Sequence, residues 1–123
     1  MMGATFGAYL KKLRLEKGIG LRAFAKSADI LPSNLCHLEM GRQNPPQEWA
    51  KKAAKALGLK EDSPQWGKFF DLAARPGEFA VDVKDYFSEA EIAEELPVMA
   101  RTIKNRKLTR EDIEKLIKDI KKI

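Results

Sequence analysis

The sequence predicts an all-α fold, in which a five-helix domain is followed by a helical extension. Two observations predict it: apolar residues recur at intervals of three and four, and no stretch alternates apolar and polar residues as a strand does. Apolar residues make up 44% of the 123 residues and charged residues 33%, which is typical of a folded globular chain. This length favours one core with an appendage. We place the domain in residues 1–75 and the extension in residues 76–123.

Five helices are predicted in the domain. In chain order they run from Phe6 to Gly18, from Leu21 to Ala28, from Pro32 to Gly41, from Gln47 to Leu57 and from Ser63 to Ala74. The first is amphipathic and is ended by its glycine. Pro32 suits the first position of the third helix, because its missing N–H would be unpaired there. Gly58 closes the fourth helix, Pro64 opens the fifth, and Pro76-Gly77 follows as a turn.

The extension carries two signals for a helix start. Ser88, with Glu91 three residues later, predicts a capped start, and Pro97 is expected to interrupt or restart that helix. Thr109 with Asp112 predicts a similar start for the last helix. Apolar residues then follow at helical spacing on one face of that helix: Ile113, Leu116, Ile117 and Ile120. This stripe either pairs with its copy in a homodimer or folds back onto the domain, and the sequence favours neither.

Charge is distributed unevenly along the chain, whose net charge is +5. Residues 1–70 carry 12 Lys and Arg against 6 Asp and Glu, residues 71–100 carry 2 against 8, and residues 101–123 carry 9 against 4. Basic ends around an acidic middle are typical of a protein that meets a polyanion. The alternative is that these cations only solvate helix faces.

Several classes of protein are excluded by what the sequence lacks. Cys36 is the only cysteine, so no internal disulfide forms, and we expect a cytoplasmic protein without a leader or a membrane segment. His37 is the only histidine, which excludes a multi-histidine metal site. The motifs of nucleophilic and phosphate-binding sites are missing. We therefore expect no enzyme, no cofactor and no metal.

The second and third helices meet the demands of a helix-turn-helix unit. Such a unit needs a small residue where its helices meet, a turn residue that tolerates unusual backbone angles, and apolar anchors on the inner face of its second helix. Ala25 meets the first demand, Asp29 the second, and Leu35 and Leu38 the third. A second helix presented in this way fits the major groove of DNA.

The segment Phe6 to Pro45, FGAYLKKLRLEKGIGLRAFAKSADILPSNLCHLEMGRQNP, resembles the phage-repressor and Cro-like regulators of the XRE family. The residues whose joint spacing carries the resemblance are Leu13, Gly18, Phe24, Ala25, Ile30, Leu35, Leu38, Glu39, Gly41 and Asn44-Pro45. The resemblance implies a lambda-repressor-like five-helix fold. It also implies a sequence-specific transcriptional regulator of double-stranded DNA, by default a repressor. Because one recognition helix reads only a few base pairs, we expect a homodimer.

Site residues follow from the resemblance position by position. It implies that Leu21 and Arg22 lie where the second helix meets phosphate. The positions implied to face the groove are Pro32, Ser33, Asn34 and His37, and those implied to contact the DNA backbone are Arg42, Gln43 and Asn44.

Two of these positions, and in addition Lys26 on the second helix, carry a more specific expectation or an alternative. Asn34 is the best candidate base reader, since a carboxamide pairs with adenine through two hydrogen bonds. His37 contacts phosphate or guanine, or is a surface histidine without a role. Lys26 either contacts phosphate or solvates its face.

The chain departs from the family pattern in three places. Gly20 and Leu21 stand where a polar cap and a glutamine usually begin the second helix, which removes a phosphate donor. Leu31 stands where a serine or threonine caps the third helix, a loss of about 1 kcal/mol. Asp29 replaces a frequent glycine, but Asp visits the left-handed region more readily than most residues, so the turn should survive.

Cys36 and four aromatic residues are interpreted as packing residues. Cys36 is expected to be a half-buried packing residue; a redox switch is the less favoured alternative, because no second cysteine is available. The aromatic residues expected in the core are Trp49, Trp66, Phe69 and Phe70.

A second function class remains open beside the regulator. The acidic segment from Glu78 to Glu95 and the break at Pro97 suit a separable module that binds a protein partner through residues 76–123. The chain would then be an antitoxin or anti-regulator, and DNA binding would serve autoregulation.

Overall fold

Helices account for all the regular structure in the computed structural model, which describes residues 5–41, 44–75 and 77–123 and shows no strand among them. In chain order they are α1 (Phe6–Glu16), α2 (Leu21–Ala28), α3 (Pro32–Met40), α4 (Gln47–Leu57), α5 (Pro64–Ala73), α6 (Val81–Glu89), α7 (Glu95–Asn105) and α8 (Arg110–Lys121). The predicted all-α fold is confirmed, and α1 to α5 match the five expected helices to within about two residues at each end.

Local signals set the ends of these helices. The side chain of Thr5 accepts a hydrogen bond from the backbone N–H of Ala8 at the start of α1, and Ser63 accepts one from Trp66 at the start of α5. Both bonds satisfy an N–H group that the helix itself leaves unpaired. Gly58 ends α4 in the left-handed conformation, with φ of 68°, a conformation that costs glycine little.

The core lies where α1 packs against α3, α4 and α5, and where α2 packs against α3 and α4. The largest fully buried side chains are Phe24, Phe69, Phe70, Leu10, Leu35 and Leu57. Phe69 contacts Phe6 with 4.8 Å between the ring centroids and meets Phe70 edge-on at 5.5 Å. The expectation that Phe69 and Phe70 are core residues is confirmed, whereas Trp49 and Trp66 are half-buried and pack against the edge of this core.

The chain divides into two compact units, Met1–Lys84 and Asp85–Ile123, with the division inside α6. Ala80 and Val81 are buried with the core of the first unit. The indole N–H of Trp66 donates to Oδ2 of Asp82 over 2.9 Å. The first compact unit therefore continues beyond residue 75 and includes the start of α6.

The predicted helix start at Ser88 is wrong. Ser88 lies in the last turn of α6, where its hydroxyl donates to the carbonyl of Asp85 over 3.0 Å. The pattern of Ser88 and Glu91 resembles a capping box, but α6 begins earlier, where Val81 is buried in the core. A new helix does start next to Pro97, in agreement with one of its two expected roles. Pro97 lies in the first turn of α7, where a missing N–H breaks no helical hydrogen bond.

The predicted start of the last helix is confirmed. Thr109 and Asp112 form a reciprocal capping box, in which each side chain accepts a hydrogen bond from the backbone N–H of the other residue. These bonds from Thr109, helped by the charge of Lys115, hold the pKa of Asp112 below its ordinary value of 3.8. Neither α7 nor α8 contains a buried residue.

Candidate nucleic-acid interface

A tight turn joins α2 to α3. Asp29 adopts the left-handed conformation, with φ of 55° and ψ of 46°, and the N–H of Ile30 donates back to the carbonyl of Ala25 over 2.9 Å. This bond pattern closes a helix and reverses the chain. Ala25 is fully buried beneath the turn, and Ile30 is buried beside it. The turn therefore has the geometry expected of Asp29 and Ala25.

Helix α3 presents two different faces. Leu35 and Leu38 are buried in the core. Ser33 and His37 are exposed, and Asn34 is half-buried between the two faces. This distribution leaves polar side chains on the outer surface of a helix whose inner surface is fixed by packing.

The two ends of α3 carry exposed apolar side chains. Leu31 occupies the N-cap position without a capping hydrogen bond, as its residue type predicts, and is 66% exposed. Pro32 follows it and is also exposed. At the other end, Met40 is exposed, and its sulfur lies 3.7 Å from the thiol of Cys36. Cys36 is half-buried, as expected of a packing residue.

A buried ion pair fixes α3 to α1. Arg14 donates from Nε and Nη2 to the two carboxylate oxygens of Glu39, over 2.7 Å and 2.9 Å, and from Nη1 to the carbonyl of Ile19 over 2.8 Å. Only 7% of the Arg14 side chain and 5% of the Glu39 side chain are exposed. The hydrogen bonds with Glu39 raise the pKa of Arg14, although burial acts in the opposite direction. This pair sets the orientation of the helix that carries the outer polar face.

Sequence reasoning missed this ion pair. Among the sequence predictions Glu39 appears for its spacing only, and Arg14 does not appear. A signal was present, because Glu39 follows the buried Leu35 by four residues and Arg14 follows the buried Leu10 by the same interval. A charged residue on a buried face requires a partner of opposite charge.

Close approach of α1 and α3 depends on Gly7. A Cβ atom at this position would lie 2.8 Å from the carbonyl oxygen of Glu39 and closer still to that of Leu38. The two helix backbones are therefore in contact where the side chain is missing. Gly7 and the Arg14–Glu39 pair together leave α3 little freedom relative to α1.

The predicted cations of α2 lie on its surface. Arg22 in the first turn and Lys26 in the last are both exposed. The N-terminus of α2 carries no capping side chain, and its positive end favours an anion. Leu21, implied at a phosphate-contacting position, is instead half-buried and packs against the core.

The structure gives Asn44 an internal role. Its Nδ2 donates to the carbonyls of Leu72, Ala73 and Ala74, with the shortest distance, 2.7 Å, to Ala74. These are carbonyls at the end of α5 that the helix leaves unpaired. Arg42 and Gln43, which precede Asn44 in the predicted site, lie outside the described residues.

Two other kinds of site find no support in the described parts of the chain. No group of three His, Cys, Asp or Glu side chains there is placed to hold a metal ion. No helix there is long and apolar enough to cross a membrane.

The turn at Asp29, the polar outer face of α3 and the core beneath them define a helix-turn-helix domain. The comparison with protein families agrees, since residues 5–63 match the family model described as a helix-turn-helix domain. Searches of the curated proteins and of the solved structures find no match to the chain. Residues 5–63 of the first compact unit thus form a helix-turn-helix domain, which suggests a DNA-binding regulator.

Proposed function

We propose that the chain is a sequence-specific transcriptional repressor of the XRE type, which reads the major groove of double-stranded DNA with α3. The observation that carries the proposal is the exposed polar face of α3, held from behind by the buried Arg14–Glu39 pair. The major groove is wide enough to admit one helix, and residues near the start of a recognition helix reach the base edges.

Each side chain of the face has a proposed role. Asn34 pairs with adenine through its carboxamide, and Ser33 and His37 contact neighbouring base edges or phosphates. Arg22 and Lys26 contact phosphates on the flank and contribute affinity without sequence preference.

Arg42 and Gln43 are proposed to contact the DNA backbone after α3. Asn44 supports them from inside the domain, because its three hydrogen bonds to the end of α5 anchor the chain directly after them.

A homodimer is part of the proposal. One recognition helix reads only a few base pairs, so useful specificity requires two helices on two half-sites. Repression then follows from occupying a promoter in the cytoplasm, and no catalytic step, cofactor or metal is assigned to the chain.

The proposal is tested by recovering and sequencing the genomic DNA fragments that the purified protein binds near physiological salt. We expect one short inverted repeat to be enriched, with half-sites about 34–36 Å apart, one helical turn. If binding falls steeply with salt but no sequence is enriched, the protein binds DNA only through its phosphates and without sequence specificity. That outcome would contradict the proposal.

Variants then assign the roles. Asn34→Ala should lose about 1–3 kcal/mol on the enriched site and relax specificity at one base pair. Gln65→Ala removes the same side-chain group from the exposed surface of α5 and should change nothing. Equal losses on specific and random DNA would remove Asn34 from the base-reading set.

A matched pair of arginines tests the phosphate role. Arg22→Ala should weaken binding to all sequences and lower the salt slope by about one. Arg101→Ala removes an equal charge from an exposed position of α7 in the other compact unit. The two variants should differ clearly if Arg22 contacts phosphate.

A second candidate function is an antitoxin or anti-regulator that binds a protein partner through residues 76–123. Exposed apolar side chains on α7 favour it, since Val98 and Met99 are more than half exposed. Co-expression with the products of neighbouring genes tests it, because a stable complex that survives deletion of residues 1–75 but not of α7 is expected. A chain that stays free of such products would contradict it.

A further inference from the structure

The second compact unit leaves the apolar face of α8 uncovered by its own residues. Leu116, Ile117 and Ile120 are 44%, 45% and 64% exposed. Ile113 lies on the same face and is half-buried, and Ile123 continues the stripe beyond the helix end. Each of these exposed side chains keeps apolar surface in contact with water, and a bound partner would bury that surface.

The spacing of the stripe fits a partner that is itself a helix. Ile113, Leu116, Ile120 and Ile123 are separated by three, four and three residues, which is the spacing of the apolar seam between paired helices. Ile117 widens this seam on one side. The stripe spans residues 113–123, and Ile117 lies one residue from its centre.

Charge is divided between the two halves of α8. The first half, residues 110–115, carries two basic residues and three acidic ones, a net charge of −1. The second half, residues 116–121, carries two lysines and one aspartate, a net charge of +1. The helix is therefore negative at its start and positive at its end, which also suits its own dipole.

We propose that α8 pairs in antiparallel orientation with α8 of a second copy of this chain, and that this contact forms the homodimer. Antiparallel pairing places the negative half of each helix against the positive half of the other. A surface that complements itself under a two-fold rotation is the type that symmetric dimers use. Parallel pairing would instead bring like-charged halves together.

This inference deepens the proposed function, which requires two copies but does not say which surface joins them. We assign a second copy of α8 as the partner of this apolar face, because the charges of two antiparallel α8 helices complement each other. The helix is 12 residues long and buries a limited area, so the dimer is a weak one that tightens when both copies sit on one DNA site.

Cysteine cross-linking of the full chain tests the orientation. In a Cys36→Ala background the chain has no other thiol. Ile117→Cys places a thiol near the middle of the seam, where the two copies face each other. Ile113→Cys places the two thiols about 12 Å apart along the axis, given a rise of 1.5 Å per residue, which is too far for a disulfide.

We expect oxidised Ile117→Cys to form a covalent dimer and Ile113→Cys to stay monomeric. Efficient cross-linking of both variants would show a parallel pair and overturn the proposal. Cross-linking of neither would equally overturn it, and would leave the stripe folded back onto its own chain.

Sedimentation equilibrium provides a measurement without new thiols. Ile120→Glu should raise the dimer Kd by roughly tenfold or more, because it places a charge in the seam. Leu15→Glu makes the same kind of change at an exposed site of α1 and should leave the Kd unchanged. An unchanged Kd for Ile120→Glu would overturn the proposal.

DNA binding separates this inference from the proposed function. If Ile120→Glu lowers affinity for the whole inverted repeat and leaves binding to one half-site intact, both stand. If the wild-type protein binds the repeat while the cross-linking result is negative, only the α8 pairing fails. If the α8 dimer forms but no sequence is enriched, only the proposed function fails.

Discussion

Removing one partner of the buried Arg14–Glu39 pair should destabilise the helix-turn-helix domain more than any exposed charge change does. Glu39→Ala leaves the Arg14 guanidinium with a single hydrogen bond to the carbonyl of Ile19, in surroundings where 7% of its side chain is exposed. An uncompensated buried charge of this kind costs about 3–5 kcal/mol. Since a domain is stabilised by only about 5–15 kcal/mol, a large part of the stability should be lost.

Urea denaturation followed by far-UV circular dichroism measures this loss. Glu16→Ala is the matched control, because Glu16 pairs with Lys12 over 4.0 Å on the open surface of α1, and such a pair contributes about 0.5 kcal/mol or less. Arg14→Met combined with Glu39→Met should recover much of the lost stability, since the two apolar side chains leave no charge behind.

The reasoning is refuted if Glu39→Ala costs no more than Glu16→Ala. It is also refuted if the losses of the two single methionine variants add up in the double variant, because two groups that interact directly should not behave independently. The double variant also carries a functional expectation. It should bind DNA weakly even if its stability is restored, because the hydrogen bonds between Arg14 and Glu39 that orient α3 are gone.

Three further predictions concern the framework of the chain. Gly7→Ala should destabilise the domain by about 1–3 kcal/mol in thermal unfolding, because the added methyl group meets the backbone of α3. Gly67→Ala in α5 is the control, since a Cβ there meets no atom within 4 Å. It should stabilise the domain by about 0.5–1 kcal/mol. Asn44→Ala should cost about 1–3 kcal/mol in urea unfolding, because carbonyls at the end of α5 lose their donor, and a neutral result would remove its anchoring role. The capping box of α8 should weaken in acid: the pKa of Asp112 is lowered in the folded state, so its contribution is present above the ordinary value of 3.8 and lost as the pH falls through the lowered pKa. Thr109→Ala should show the corresponding loss of helix content at neutral pH, and an unchanged circular dichroism spectrum would contradict the assignment.

The helices of the first unit could be predicted because residues at their own ends determine where they begin and end. Pro32 and Pro64 open helices, Gly58 closes one, and the apolar residues between them repeat at helical spacing. The turn at Asp29 could be predicted for the same reason, since its backbone conformation depends on its own side chain and on Ala25 four residues before it.

The features that escaped prediction depend on residues far apart in the chain. Arg14 and Glu39 are separated by 25 residues, and Asn44 by 28 to 30 from the carbonyls that it holds. The prediction at Ser88 failed in a related way, because a local capping pattern was outweighed by the burial of Val81 at the true start of α6. Of the predicted interface, the positions on α2 and α3 rest on the resemblance to the XRE family, whereas the internal role of Asn44 required the fold.

The hydrogen bond from Trp66 to Asp82 and the burial of Ala80 and Val81 have a consequence for how such a chain can evolve. A recombination event that exchanged the tail at residue 75 would remove part of the hydrophobic support of the helix-turn-helix domain. An exchange after residue 84 would leave that support whole. Lineages that acquire new tails should therefore keep the stretch from residue 77 to residue 84 with the domain, and deletion libraries should show a sharp fall in protease resistance when it is lost.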